Sequence, residues 1–516
     1  MLLDGTSLTL ESMAAVARGA APPALAPGAR ASMERSRAWV VRSQHGSDAI
    51  YGINTGFGSL ARVRIDAADT VLLSRNLIRS HAAGVGAAAP AEVVRGTMLL
   101  RANALARGAS GCRVILVETL LAMLERGVVP VVPRQGSCGS SGDLAPLSHL
   151  GLVVFGEGGE AWLAPHAPLD GARHLPGAEA MTRAGIPTLV PEAKEGLAMT
   201  NGAQLTTAIA ALACLDAEQV LRAAEVAAAM SIEALRGVTR AFHPAVHALR
   251  PYAGARATAA RLLRLLEGSS LVDSLPGKVQ DAYSLRCTPV VLGACRDTLA
   301  FGRSMVEVEL NSVTDNPVML MDEAVDNHAF SAGLFHGEPV GMAADTMKIA
   351  VAEIASLSER RLFRMTTGSL SARLPPALVG ADRPDLGMLV PQTTAAALVS
   401  ENKALAWPAS VDSIPTCEDQ EDHVAMSTTA AWRLREVVEN TRRVVAIELL
   451  CAAQALRFRR GEESGVCLGV GAAAALPRIE ETLAAAQART PTLTPGARIE
   501  ALAAAIARGD FDAVCP

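Results

Sequence analysis

Up to about residue 200 the chain alternates short apolar stretches with Gly- and Pro-rich breaks, and beyond that it runs mostly in long blocks of Ala, Leu and Val. Gln204 to Leu235 is the clearest block. It contains no Gly or Pro, and its composition favours helix over its whole length. A helix this apolar has to be buried on several sides. The same pattern predicts helices over Ala255 to Leu266, Val290 to Leu310, Pro339 to Arg364, Thr393 to Ala406 and His423 to Phe458. A Gly-rich break follows, Gly461 to Gly471. Thr494-Pro495 then reads as an N-cap with proline in the first helical position, opening a last helix through Ala507.

These elements predict a mainly α fold, a long-helix bundle with a smaller mixed N-terminal region. The division expected is 1–200 for that region, 201–470 for the central bundle, and 471–516 for a C-terminal helical segment packed on it. Ala164 to Pro191, rich in Pro and Gly, is the expected surface excursion. Although 516 residues suggest several domains by length alone, the apolar runs favour one extended helical core. Half of the residues are hydrophobic, so material for it is plentiful.

Charge and cysteine usage narrow the function classes. A net charge of −5 provides no basic footprint for nucleic acid and no polybasic membrane patch, so a small-molecule partner is expected. Nine cysteines without a CxxC pair form neither a disulfide framework nor a zinc ribbon. Asp4 sits where a secretory leader would have its basic start, and no run of about 18 apolar residues suggests a membrane span. The expected location is the cytoplasm. His243 and His247 have the i, i+4 spacing of a metal pair, but Pro244 lies between them and no acid is adjacent. No metal is expected.

The candidate chemistry begins at Gly136 to Leu150, GSCGSSGDLAPLSHL. Gly/Ser-rich runs are usually plain loops. Here, however, a tight turn that presses the Gly142 nitrogen onto the Ser140 carbonyl carbon would close a five-membered imidazolone with loss of two waters. Ser141 would then become an exocyclic methylene, an electrophile that no ordinary side chain supplies. Gly142 allows the close approach, and Asp143 is placed to orient or take protons.

Further motifs are scattered. Tyr51-Gly52-Ile53-Asn54-Thr55-Gly56-Phe57-Gly58 lacks the lysine of a phosphate-binding loop and reads as a loop presenting Tyr51. The others are Arg79-Ser80-His81, Asn201-Gly202-Ala203-Gln204, Gln280 to Arg286, Asn311 to Pro317, Phe335-His336-Gly337-Glu338-Pro339 and Gln420-Glu421-Asp422-His423. Taken singly, each has a structural reading: a helical His in the core, an Asn cap, an Arg paired with a Glu. Arg286 does offer the planar fork that grips a carboxylate.

In order and approximate spacing, from Leu3-Asp4-Gly5 to Met426, these segments resemble the histidine and aromatic amino acid ammonia-lyase family. That resemblance implies 4-methylidene-imidazol-5-one (MIO) formed from Ser140, Ser141 and Gly142, with Ser140 standing where the family usually has Ala. It also implies Tyr51 as the base that takes the β-proton, and Asn201, Gln280, Tyr283 and Arg286 as the set that binds MIO and the carboxylate. A phenol with an ordinary pKa of about 10 needs positive surroundings for that role. Phe335 resembles the aromatic wall, and His81 with Glu421 the substrate-selecting pair. The combination favours histidine, whose imidazole can donate to Glu421. The resemblance further implies a homotetramer with shared active sites. The sequence departs from the family at Thr288, Val290 and Leu334, and at Arg250-Pro251-Tyr252-Ala253. Tyrosine ammonia-lyase, an aromatic 2,3-aminomutase and an uncyclised helical scaffold stand as alternatives.

Overall fold

The computed structural model describes the chain apart from residues 1, 47–48, 57–62, 67–68, 165–173, 323–327, 381–385, 463, 491 and 515–516, and the side chain of residue 462. Phe57 and Gly58 of the tyrosine motif, and part of the Ala164–Pro191 excursion, lie outside the described residues. The fold is mainly helical, as the apolar pattern predicts. The chain forms two compact units, each assembled from separate stretches of sequence. The first takes Met1–Leu212, Arg303–Asp345 and Pro408–Trp432, and the second takes Ala213–Gly302, Thr346–Trp407 and Arg433–Pro516.

The long helices match their apolar runs to within a few residues: Gln204–Ala234, Ala253–Leu266, Thr288–Leu310, Glu338–Thr366 and Leu389–Leu405. Ala208 to Leu212 are all fully buried, as are Val444 to Ile447. Consecutive residues point to all sides of a helix, so packing surrounds both stretches. The run expected from His423 instead forms the helix Ser427–Glu462. Met426 just before it has φ +46°, a left-handed turn that starts the helix late and leaves Glu421 to His423 outside it. The last helix, Pro495–Ala507, is capped by Thr494, whose hydroxyl accepts from Ala497 N at 3.3 Å. Val470–Gln487 is helical despite the internal Pro477.

In the first unit, the expected short elements include several full helices. Ala91–Ala106 is almost wholly buried and packs against Leu10–Ala17. The strands are short. Val128–Pro130, Glu160–Leu163 and His174–Pro176 make an antiparallel sheet with Glu160–Leu163 in the centre, and Val318–Met319 pairs with Ala329–Phe330. Asn311 reaches back to the chain start, accepting from Leu8 N at 3.0 Å and donating to Leu8 O at 2.9 Å. Three helices pack on one another and carry the chemistry at their ends: Thr70–His81, Leu144–Val154 and Glu195–Thr200.

In the second unit, Ala253–Leu266 packs on Val470–Gln487, which in turn packs on Pro495–Ala507. Its core also holds an ion pair. Arg361 donates to both oxygens of Glu448 at 2.5 and 2.8 Å, with both side chains fully buried. Ser231 and Ser358 add donors at 2.7 and 2.5 Å, so this buried carboxylate is fully hydrogen-bonded.

Candidate active site

The loop before helix Leu144–Val154 is tied to the end of helix Glu195–Thr200 by backbone contacts. Gly142 and Gly202 form a parallel bridge, and Asp143 N donates to Gly202 O at 2.7 Å. Glycine is required at both positions, each against a different neighbour. A Cβ on Gly142, at φ +76°, would meet Gly202 C at 2.2 Å, and one on Gly202, at φ +143°, would meet Thr314 O at 2.3 Å. The Ser141 carbonyl accepts from Asn201 Nδ2 at 2.8 Å and from Gly202 N at 3.3 Å. Asn201 is itself held from behind, where the buried Arg101 donates to its carbonyl at 2.5 Å and to Gln204 Oε1 at 3.0 Å. Deeper still, Lys194 bridges both oxygens of Asp315 at 2.9 Å.

Asp143 anchors the loop from inside. Its buried carboxylate accepts from Thr206 N at 2.9 Å, Thr206 Oγ1 and Ser137 Oγ at 2.8 Å, and Thr428 Oγ1 at 2.9 Å. Burial pushes this carboxyl above its ordinary range, against the pull of those bonds. A group so placed stiffens the turn. The sequence carried no sign of Thr206, Thr428 or Ser137 as its partners, since isolated hydroxyls far apart in the chain follow no spacing rule.

Above the loop lies a cavity of about 550 Å³ in the first unit. Its lining includes Tyr51, His81, Ser140, Ser141, Asn201, Phe335 and Glu421, seven of the residues that the motifs single out. Leu77, Leu144 and Leu197 add apolar wall, and Asn316, His336 and His423 add polar groups. Leu334, by contrast, is half-exposed and lines no part of it. Nor do Gln280, Tyr283 and Arg286, which belong to the second unit. There Tyr283 is 72% exposed, with the Arg286 guanidinium 4.7 Å from its ring centroid and Arg286 Nε donating to Asp281 O at 2.9 Å.

Glu421 is the hub of the polar wall. Ser140 Oγ donates to Oε2 at 2.9 Å, Thr416 Oγ1 donates to the same oxygen at 2.6 Å, and Ser141 Oγ donates to Oε1. The turn Thr416–Glu421, closed by a β-bridge, brings Thr416 to this place. Burial alone would raise the Glu421 carboxyl, but the bonds from Ser141, Thr416, Ser140 and Cys417 outweigh it and hold the group below its ordinary value. His81 shifts the other way from most paired histidines. Burial lowers it, and the Leu77 backbone and the Glu421 charge only partly offset that. At neutral pH the pair is therefore an anion beside a neutral imidazole.

His243 and His247 do other work: His243 Nδ1 accepts from Ala245 N at 3.2 Å as a helix cap, and His247 Nε2 lies 3.2 Å from Ala241 O. Among the described residues no group of three or more His, Cys, Asp or Glu is placed to hold a metal ion. No described helix is long and apolar enough to cross a membrane.

The fold and the loop-and-cavity geometry define a helical lyase architecture, and comparison with known proteins agrees. The profile of the aromatic amino acid lyase family matches residues 8–481. A histidine ammonia-lyase of Anaeromyxobacter sp. (strain K) is 52% identical over 463 residues, covering 89% of this chain and 90% of that protein. Among solved structures, histidine ammonia-lyase from Trypanosoma cruzi is 35% identical with a TM-score of 0.87, over 99% of this chain and 94% of that one. Tyrosine aminomutase from Streptomyces globisporus is 33% identical with a TM-score of 0.90, over 100% and 98%. The chain belongs to the aromatic amino acid lyase family and is a carbon–nitrogen lyase.

Proposed function

We propose that the chain is a cytoplasmic histidine ammonia-lyase that converts L-histidine to trans-urocanate and ammonia. The observation that carries this reading is the ionised Glu421 beside neutral His81 on the cavity wall. An imidazole N–H satisfies Oε1 of that carboxylate once the Ser141 hydroxyl is lost, whereas a phenyl ring would leave this oxygen without a partner, at a cost of about 1–3 kcal/mol. Identity of 52% to a histidine ammonia-lyase supports the same choice.

The residues fit an MIO group formed from Ser140, Ser141 and Gly142. Gly202 leaves no room for a side chain on Gly142, Thr314, Gln204 and Arg101 leave none on Gly202, and the Ser141 carbonyl already has two donors. Such a group supplies an electrophilic methylene that turns the substrate's amine into a better leaving group. This chain's own residues do the rest. Tyr51 Oη takes the proton from the substrate's Cβ. The amine departs with the electrons of the C–N bond as the double bond forms. Asn201 Nδ2 and Gly202 N stabilise negative charge at the Ser141 oxygen, and Asn201 Oδ1, which has no partner among the described residues, accepts from the substrate's amine.

Binding the substrate carboxylate needs a cation. We assign it to Arg286, with Gln280 and Tyr283, reaching the cavity from a neighbouring subunit of a homotetramer. Their place in the second unit and the exposure of Tyr283 support this. A 2,3-aminomutase outcome is the second reading, favoured by the TM-score of 0.90 to a tyrosine aminomutase. Incubation with L-histidine, L-tyrosine and L-phenylalanine, read by absorbance and by chromatography for β-amino acids, tests both. Faster release of cinnamate or coumarate than of urocanate, or β-amino acid as the main product, would reject the proposal.

A further inference from the structure

Ser140 is where this chain departs from the alanine usual in its family, and its hydroxyl is engaged. It shares Glu421 Oε2 with Thr416, at 2.9 and 2.6 Å, while the Ser141 hydroxyl occupies Oε1. The two serines have different fates when the ring closes. Ser140 contributes only its carbonyl carbon, so its Cβ–Oγ bond survives. The Ser141 Oγ leaves as water when its Cα–H and Cβ–O bonds break and the methylene forms. The same event that completes the prosthetic group therefore strips the Ser141 donor from Oε1 and leaves the two hydroxyl donors on Oε2 in place.

We infer that Ser140 and Thr416 clamp Oε2 of Glu421 so that maturation frees Oε1, and only Oε1, to accept the substrate's imidazole N–H. Ser140 is then a specificity-determining positioning residue. This deepens the histidine reading and rests on it. A carboxylate held by one oxygen keeps its orientation as the Ser141 hydroxyl departs, so the substrate's donor meets an acceptor that is already aimed. Without the Ser140 hydroxyl, Oε2 loses one of its two hydroxyl donors and the carboxylate turns more freely about the Thr416 bond. The loss falls on binding of the ring and not on the chemistry at Cβ.

The test compares wild type with Ser140→Ala, which installs the family's usual residue, and with Thr416→Val. Intact mass first establishes that each variant has lost two waters relative to its encoded chain. Steady-state kinetics should then show KM for L-histidine raised about three- to tenfold with kcat little changed, as expected when a charged acceptor loses one of its donors. Preference for histidine over phenylalanine should fall by a similar factor. Ser140→Thr, which keeps a hydroxyl, should recover much of the loss. A second readout needs no turnover: calorimetric binding of L-histidine to the Ser141→Ala protein, which cannot form the methylene, should weaken by the same factor when Ser140→Ala is added. That comparison decides the matter even if Ser140→Ala alone fails to mature. Wild-type KM in fully matured Ser140→Ala, or equal binding in the calorimetric pair, overturns the inference and leaves the enzyme a histidine lyase. Wild-type protein lacking two waters that releases no urocanate overturns the histidine reading itself.

Discussion

Replacing Glu421 with Gln should change substrate preference more than any other single substitution in the cavity. The side chain keeps its shape but trades one acceptor for a donor. Two hydroxyls, Ser140 Oγ at 2.9 Å and Thr416 Oγ1 at 2.6 Å, converge on Oε2, so the glutamine oxygen is drawn to that side. Its NH2 then turns to the cavity, where a histidine N–H would face another donor. A hydrogen bond to a charged group contributes about 1.5–3 kcal/mol, which at about 1.36 kcal/mol per decade of rate is roughly 10- to 150-fold in kcat/KM. Glu421 is only half-buried, which favours the lower part of that range. Phenylalanine brings no ring N–H, so it loses nothing comparable. The ratio of urocanate to cinnamate formation, measured from initial absorbance changes on protein shown by mass to lack two waters, should fall at least tenfold. An unchanged ratio, or equal loss for both substrates, would refute the argument that the carboxylate reads the imidazole.

Tyr51→Phe should nearly abolish turnover while sparing binding, and mixed assemblies of Tyr51→Phe with Arg286→Ala should regain roughly a quarter of the activity if subunits share sites. No recovery in verified mixed tetramers would place both residues in one chain's site. Asn201→Ala removes a donor 2.8 Å from the Ser141 oxygen and should cost about 10²- to 10³-fold in kcat; loss confined to KM would argue against charge build-up there. Arg361→Met strands the buried Glu448 carboxylate and should destabilise the protein by about 3–5 kcal/mol in denaturant titration, with Arg361→Met/Glu448→Met recovering most of it. Because hydrogen bonds hold Glu421 below its ordinary carboxylate value, its contribution to stability is present at neutral pH and is lost as pH falls through the folded-state value. Glu421→Gln should therefore flatten the acid limb of Tm against pH.

Much of this protein follows from local sequence. Gln204–Ala234 and Pro495–Ala507 are helices because Ala, Leu and a Thr-Pro cap act within a turn or two of backbone, and that is why their ends were legible. The Ser140-Ser141-Gly142 loop was legible for the same reason: the ring closure proposed for it would involve only these three residues, which are neighbours in the chain. The helix expected from His423 starts at Ser427 instead because a left-handed Met426 intervenes, a choice that helix propensity does not encode. Tertiary packing alone decided that Ser140 meets Glu421, 281 residues away, and that Asp143 meets Thr206 and Thr428. It also decided that Tyr51 and His81 line one cavity and that Gln280, Tyr283 and Arg286 are not part of that lining. Propensity and covalent chemistry act over a few bonds and can be read along the chain. Hydrogen bonds between distant side chains depend on which helices pack and at what angle, and that is settled only when the apolar faces are buried together.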